Sequence, residues 1–65
     1  MTDTTIRING HTYNVVVYIA DDTGYWRAEA GYMGRVIEVI DVPHEAQAWA
    51  GIRKVLVRRN GNGAR

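Results

Sequence analysis

The chain predicts an α+β fold, an antiparallel sheet of three long strands plus a short N-terminal strand with one C-terminal helix packed on one face, in the order β-β-β-β-α. Three observations carry this prediction. Tyr13 to Glu29, YNVVVYIADDTGYWRAE, reads as two strands around a glycine turn. Asn9-Gly10 closes an earlier alternating run, Thr4 to Ile8. A single proline, Pro43, separates the last β-branched run from an alanine-rich segment with helical spacing.

Val15, Val16, Val17 and Ile19 are β-branched, and such side chains suit a pleated, half-buried surface better than a helix. Gly24 supplies the positive φ that a tight hairpin turn needs. With Thr23-Gly24 as a two-residue turn, Asp22 faces Tyr25, Tyr18 faces Glu29 and Val17 faces Ala30. Side chains alternate along a strand. Val15, Val17, Ile19, Trp26, Ala28 and Ala30 therefore gather on a core face, and Asn14, Val16, Tyr18, Tyr25, Arg27 and Glu29 on an outer one. A slip of one residue mixes the two sets, which favours this register.

Asn-Gly is the strongest short-range hairpin signal, because both residues tolerate left-handed conformations. It sets Ile8 against His11, Ile6 against Tyr13 and Thr4 against Val15. Ile6 and Ile8 then share the core face reached independently from the second turn, and that agreement strengthens both. Arg7 falls on the outer face near Thr12 and Asn14. After Ala30, Gly31-Tyr32-Met33-Gly34 predicts a loop and Arg35 to Val42 a strand. Ile37 and Val39 inward is the preferred assignment there, over Val36, Ile40 and Val42.

Pro43 predicts the helix start, with Asp41 or Val42 as cap. Ala46, Trp49, Ala50, Leu56 and Val57 share one broad face with Ile52 at its edge, and His44, Gln47, Gly51, Lys54 and Arg58 share the opposite one. Trp49 is the natural plug between helix and sheet, since tryptophan covers a large apolar area. Lys54 to Arg58 is also rich in β-branched residues. A continuous helix is preferred there to a last edge strand. Residues 1–59 form the expected domain, and residues 60–65, NGNGAR, the expected flexible basic tail.

Sixty-five residues make one small domain. A chain this short buries only about 60% of its unfolded surface, so a homodimer is among the states its size suggests. Without cysteine there is neither a disulfide framework nor a thiolate metal site, which fits a reducing compartment. No apolar run reaches the roughly 18 residues of a membrane span, and MTDTTIRING lacks the basic and apolar parts of a signal peptide. The expectation is a cytoplasmic protein with no membrane partner. Net charge is +1, but all seven acids lie between Asp3 and Glu45, while Arg53, Lys54, Arg58, Arg59 and Arg65 crowd the end. Such a segment suits phosphate, an acidic partner or simple solvation.

No residue pattern points to catalysis. His11 and His44 are the only histidines, and neither has a second ligand at metal spacing. Asp21 and Asp22 are neighbours whose side chains diverge on a strand, so they do not form an acid–base pair. No threonine has a base beside it, and Gly31-x-x-Gly34 joins two strands rather than a strand and a helix, so it is no phosphate loop. The reading is therefore non-enzymatic, with no cofactor or metal residue assigned. The candidate binding residues are Arg7, Tyr18, Tyr25 and Arg27 on the outer sheet face, and Lys54, Arg58 and Arg59 on the helix. Aromatic platforms with arginine suit a protein interface and nucleobases alike. The plain alternative is cross-strand pairing of Tyr18 and Arg27 with Glu29.

DDTGYWRAEA, then Gly34, a strand and HEAQAWAGIRKVL resembles the HicB-like antitoxin domain over Val15 to Leu56. Asp22, Gly24, Tyr25, Ala28, Glu29, Gly34, Glu45 and Ala46 fall at matching places. Met33 stands where that family usually carries proline. The resemblance implies an inhibitor that neutralises a small ribonuclease toxin, with DNA bound by a separate domain that has no counterpart in these residues. Three strands and a helix with Glu45-Ala46-x-Ala48-Trp49 are also similar to the arm-type DNA-binding domain of tyrosine integrases. That resemblance implies Tyr18, Tyr25 and Arg27 in a major groove, although VIEVIDV carries acids where such domains carry bases. An inhibitor from a mobile element that blocks some other protein on the same scaffold is the third expectation. A protein partner is preferred, with nucleic acid as the alternative.

Overall fold

A computed structural model describes residues 2–63. Four antiparallel strands, β1 (Thr2–Ile8), β2 (His11–Ile19), β3 (Trp26–Tyr32) and β4 (Arg35–Val42), lie side by side in sequence order, followed by α1 (Glu45–Gly63). This is the predicted β-β-β-β-α arrangement. The helix covers one face of the sheet, chiefly over β3 and β4.

The first hairpin has the predicted register, Ile8 opposite His11 and Ile6 opposite Tyr13. Asn9 and Gly10 both take positive φ, 51° and 81°, as a type I′ turn requires. β1 runs back to Thr2, beyond the alternating stretch.

The second hairpin is paired two residues away from expectation: Val15 faces Ala30, Val17 faces Ala28 and Ile19 faces Trp26. The loop is Asp21 to Gly24. It is closed by Ala20, whose N–H donates to the Tyr25 carbonyl (2.8 Å) and whose carbonyl accepts from Gly24 (2.7 Å) and Thr23 (3.2 Å). A two-residue turn at Thr23-Gly24 would put a β-branched threonine at positive φ, which its Cβ resists. The longer loop asks for positive φ only at Gly24, 75°. A shift of two preserves the side-chain alternation, so the predicted faces survive, although Ile19, expected in the core, is 51% exposed at the strand end. Val15, Val17, Ala28 and Ala30 are fully buried or nearly so.

β3 and β4 meet in a tight turn at Met33 and Gly34 (φ 53° and 82°), so Gly31 and Tyr32 belong to β3 rather than to a loop. Ala30 pairs with Glu38 and Gly31 with Val36. Ile37 is thus the extra residue of a β-bulge. The bulge breaks the alternation that the sequence reading assumed. Ile37 packs on the core on one side of it, Ile40 and Val42 on the other. Val39, expected inside, is on the outer face and 51% exposed.

The helix starts at Glu45, two residues after Pro43. The His44 carbonyl accepts from the amides of Gln47 (3.1 Å) and Ala48 (3.2 Å), which makes His44, not Asp41 or Val42, the capping residue. Asp41 stays in β4. Residues 54–59 are helical, and α1 passes the expected domain limit at Arg59 and continues through Gly63. Of the expected tail, 60–63 are thus helical, and Ala64 and Arg65 lie outside the described residues.

Ala48, Ile52 and Leu56, spaced four apart, form the buried stripe of α1, each fully buried. Ala46, Ala50 and Val57 are exposed, so the buried face is rotated by roughly 100°, one residue step, from the predicted one. Gly51, expected outside, is the reason. A Cβ there would stand 2.7 Å from Ile40 Cδ1. Small residues at Ala48 and Gly51 let the helix settle onto a strand floored by Ala28 and Ala30. Trp49 is half-buried at the rim of this cluster and does not plug its centre.

Two stability measurements follow from this packing. Ile52→Ala should cost about 2–5 kcal/mol in chemical denaturation, on the order of the whole stability of a small domain. Gly51→Ala should be more favourable in an Ile40→Val background than in the native chain, because removing the δ-methyl vacates the space the new Cβ needs. Additive effects in that double-mutant cycle would place the helix farther from β4.

Candidate functional site

The sheet face away from α1 is open. Strand pairing arranges it in rows: Tyr18–Arg27–Asp41, then Val16–Glu29–Val39 with Asp3, then Asn14–Gly31–Val36 with Thr5. Tyr18 and Arg27 stand directly opposite each other. Arg27 makes a two-pronged ion pair with Asp41, Nε to Oδ1 at 2.7 Å and Nη2 to Oδ2 at 3.1 Å. Asp22 in the loop approaches the same guanidinium at 3.8 Å. The fork-on-fork geometry fixes the side chain, which is only 25% exposed.

Next to this pair the Tyr18 hydroxyl donates to a Glu29 carboxylate oxygen. That bond holds the Tyr18 phenol above its ordinary pKa, because ionising it would set two anions together. The hydrogen bonds from Arg27 hold the Asp41 carboxyl below the usual carboxylate range, and the same contact pushes the Arg27 guanidinium further up. The plain alternative in the sequence was that Tyr18 and Arg27 both answer to Glu29. The structure gives Tyr18 to Glu29 and Arg27 to Asp41. Asp41 was read as a helix cap, and with the bulge at Ile37 hidden its place on this face was not legible.

The remaining candidate residues do not join the same patch. Arg7 lies opposite Thr12 on β1, six residues along β2 from Tyr18 and hence about 20 Å away. Tyr25 sits where the hairpin loop meets β3 and is 49% exposed. Lys54, Arg58 and Arg59 are on α1, behind the sheet. Arg59 is paired with Glu38 at 2.8 Å. Lys54 and Arg58 are exposed and make no ion pair among the described residues. The sheet face and the basic helix side are thus separate surfaces as expected, but on the sheet face Arg7 and Tyr25 stand apart from the Tyr18–Arg27 pair.

Three outer-face valines were not foreseen as part of the site. Val36 and Val39 are 59% and 51% exposed, and Val16 is half-buried between Asp3 and Glu29. Val16 and Val36 were legible from alternation, whereas Val39 emerges only once the bulge is known. A second feature missed from sequence is a cleft between the first turn and the end of α1, where Tyr13, Tyr32 and Asn60 converge. Among the described residues no cluster of three or more His, Cys, Asp or Glu could hold a metal ion. No helix there is long and apolar enough to cross a membrane. Comparison with protein-family models, with curated proteins and with solved structures yields no match.

The ion pair makes a prediction about pH. A carboxyl whose pKa is depressed on folding stabilises the fold above its unfolded value, about 3.9, and that contribution fades as pH falls through the folded value. The Tyr18 phenol, raised on folding, acts in the opposite sense. Its contribution is full below about 10 and fades as pH rises through the folded value. Thermal melts across pH should therefore decline at both ends. Asp41→Asn should flatten the acid limb and Tyr18→Phe the alkaline one. Unchanged limbs would mean that neither contact persists in solution.

Proposed function

We propose that this chain is a small non-enzymatic binding protein that blocks a protein partner with its open sheet face, in the manner of an antitoxin-like inhibitor. The observation that carries this reading is the capture of Arg27 by Asp41 at 2.7 and 3.1 Å. It ties up the cation that stands beside Tyr18, where a nucleic-acid reader would need it free. Asp3, Glu29 and Asp41 there balance Arg7, Arg27 and Arg35, so a phosphate backbone would meet no net counter-charge.

What remains is suited to protein. Val16, Val36 and Val39 offer apolar area, and Tyr18 adds an aromatic held in place by Glu29. Anchored aromatics beside apolar side chains are typical of the energetic centre of protein interfaces. A small ribonuclease toxin in the cytoplasm is the partner that the HicB-like resemblance implies. Nucleic acid is the second reading, and it moves from the sheet to the helix, where Arg53, Lys54 and Arg58 are exposed.

The test begins with a partner isolated from the source cell and measured by calorimetry. Tyr18→Ala or Val39→Asp should weaken binding by at least about 30-fold, as expected for hot-spot positions. Lys54→Ala with Arg58→Ala should leave it nearly unchanged. The protein-binding reading fails if duplex DNA instead binds below about micromolar near physiological salt, with a log–log salt slope of about −3 or steeper.

A further inference from the structure

Behind the sheet, on the side away from the proposed interface, a cleft of about 620 Å³ opens between the Asn9-Gly10 turn and the last turns of α1. Its volume falls within the roughly 300–1,000 Å³ of small-molecule sites. Tyr13 forms its floor and is 5% exposed. Tyr32 packs against Tyr13 with ring centroids 5.2 Å apart, and His11 meets Tyr32 edge-on at 5.6 Å. His11 Nδ1 and the Tyr32 hydroxyl are 3.0 Å apart, so these two rings are tied together at the mouth.

The hydrogen-bond inventory of the floor leaves two unused groups side by side. Asn60 spends both of its N–H bonds, one on the Tyr13 hydroxyl (2.7 Å) and one on the Leu56 carbonyl (2.9 Å). The second of these fixes which end of the amide is nitrogen, since a carbonyl only accepts. The Asn60 Oδ1 therefore remains as an acceptor with no partner among the described residues. No buried side-chain oxygen there lacks a partner, so this one reaches solvent. The Tyr13 hydroxyl, having accepted from Asn60, keeps its own proton to donate. A fixed acceptor thus stands beside a fixed donor under aromatic walls.

We infer that this cleft is a binding site for a small planar heterocycle that presents a donor and an acceptor on adjacent atoms, the amide-type edge of a nucleobase. A ring carbonyl would accept from Tyr13 while the neighbouring ring N–H donates to Asn60 Oδ1. Tyr32 and His11 supply the apolar and aromatic contact that a flat ring needs. Both polar groups are held before the ligand arrives, Asn60 by the helix carbonyl and Tyr13 by burial, so little ordering cost falls on binding. Arg59, half-exposed at the rim with one N–H given to Glu38 at 2.8 Å, stands where a substituent on the ring would pass. The site shares no residue with the outer sheet face, so it stands or falls independently of the proposed interface.

The probes are uracil, uridine monophosphate and a dimethyluracil with both ring nitrogens methylated, titrated while amide and side-chain NMR signals are followed. Uracil should give saturable shifts at Tyr13, Tyr32 and the Asn60 side chain with a Kd on the order of 1 mM, usual for so small a ligand. Dimethyluracil and the Tyr13→Phe variant should each weaken binding about 3- to 10-fold, the worth of one neutral hydrogen bond. Tyr18→Phe, on the other side of the sheet, should change nothing. No saturable shift by about 20 mM uracil, well above that Kd, would overturn the inference. So would equal affinity for uracil and dimethyluracil, or binding of uridine monophosphate without binding of uracil, which would make the cleft a phosphate site.

Discussion

The helix can lie where it does because four small residues allow it. Ala28 and Ala30 on β3 and Ala48 on α1 are fully buried, and Gly51 leaves room for the δ-methyl of Ile40 at a distance no Cβ would tolerate. This close approach decides which stripe of the helix faces inward. With Gly51 on the sheet, Ile52 and Leu56 drop into the core, and Ala46, Ala50 and Val57 are turned out. It also brings the end of α1 down onto the first hairpin, where Asn60 reaches Tyr13 across 47 residues of chain. The cleft is a product of that descent.

The fold class was legible because local signals in this chain agree with one another. Asn9-Gly10 sets a register, Gly24 permits a turn, and the valine alternation assigns faces that survive even a two-residue shift of pairing. Three features were not legible, each for a physical reason. The loop at Asp21 to Gly24 depends on threonine refusing positive φ, a preference weaker than the glycine signal beside it. The bulge at Ile37 leaves no mark in a run where β-branched residues stand at both alternating sets of positions, so the inward set of β4 came out half right. The helix face was misread because apolarity was counted and smallness was not. Trp49 and Ala50 looked like core, while Gly51 looked like part of the solvent face.

The candidate site suffered from the same omissions. Tyr18 and Arg27 were found by alternation alone and do stand together. Their partners were not, because Asp41 and Val39 reach the outer face through the bulge. Basic residues counted along the sequence gave no hint that Arg27 and Arg59 are each matched by a carboxylate of β4. Two of the cations that look free in a linear reading, Arg27 and Arg59, are thus matched within the fold, while Arg53, Lys54 and Arg58 stay exposed on the helix. The cleft was invisible for a simpler reason. Its parts, Tyr13, Tyr32 and Asn60, are scattered along the chain and carry no shared motif.

The bulge has one more consequence. β4 is an outermost strand, with backbone N–H and C=O groups along its free side and valines beside them. Such a border is an open template for another strand, and the risk is greatest in a short, β-branched sequence of this kind. The extra residue at Ile37 interrupts the spacing of those groups in mid-strand, so an incoming strand could match one half of the border but not both. The irregularity that re-aims Val39 toward the solvent thus also works against strand addition along β4, whereas β1, the other border of the sheet, runs through its pairing with β2 without such a break.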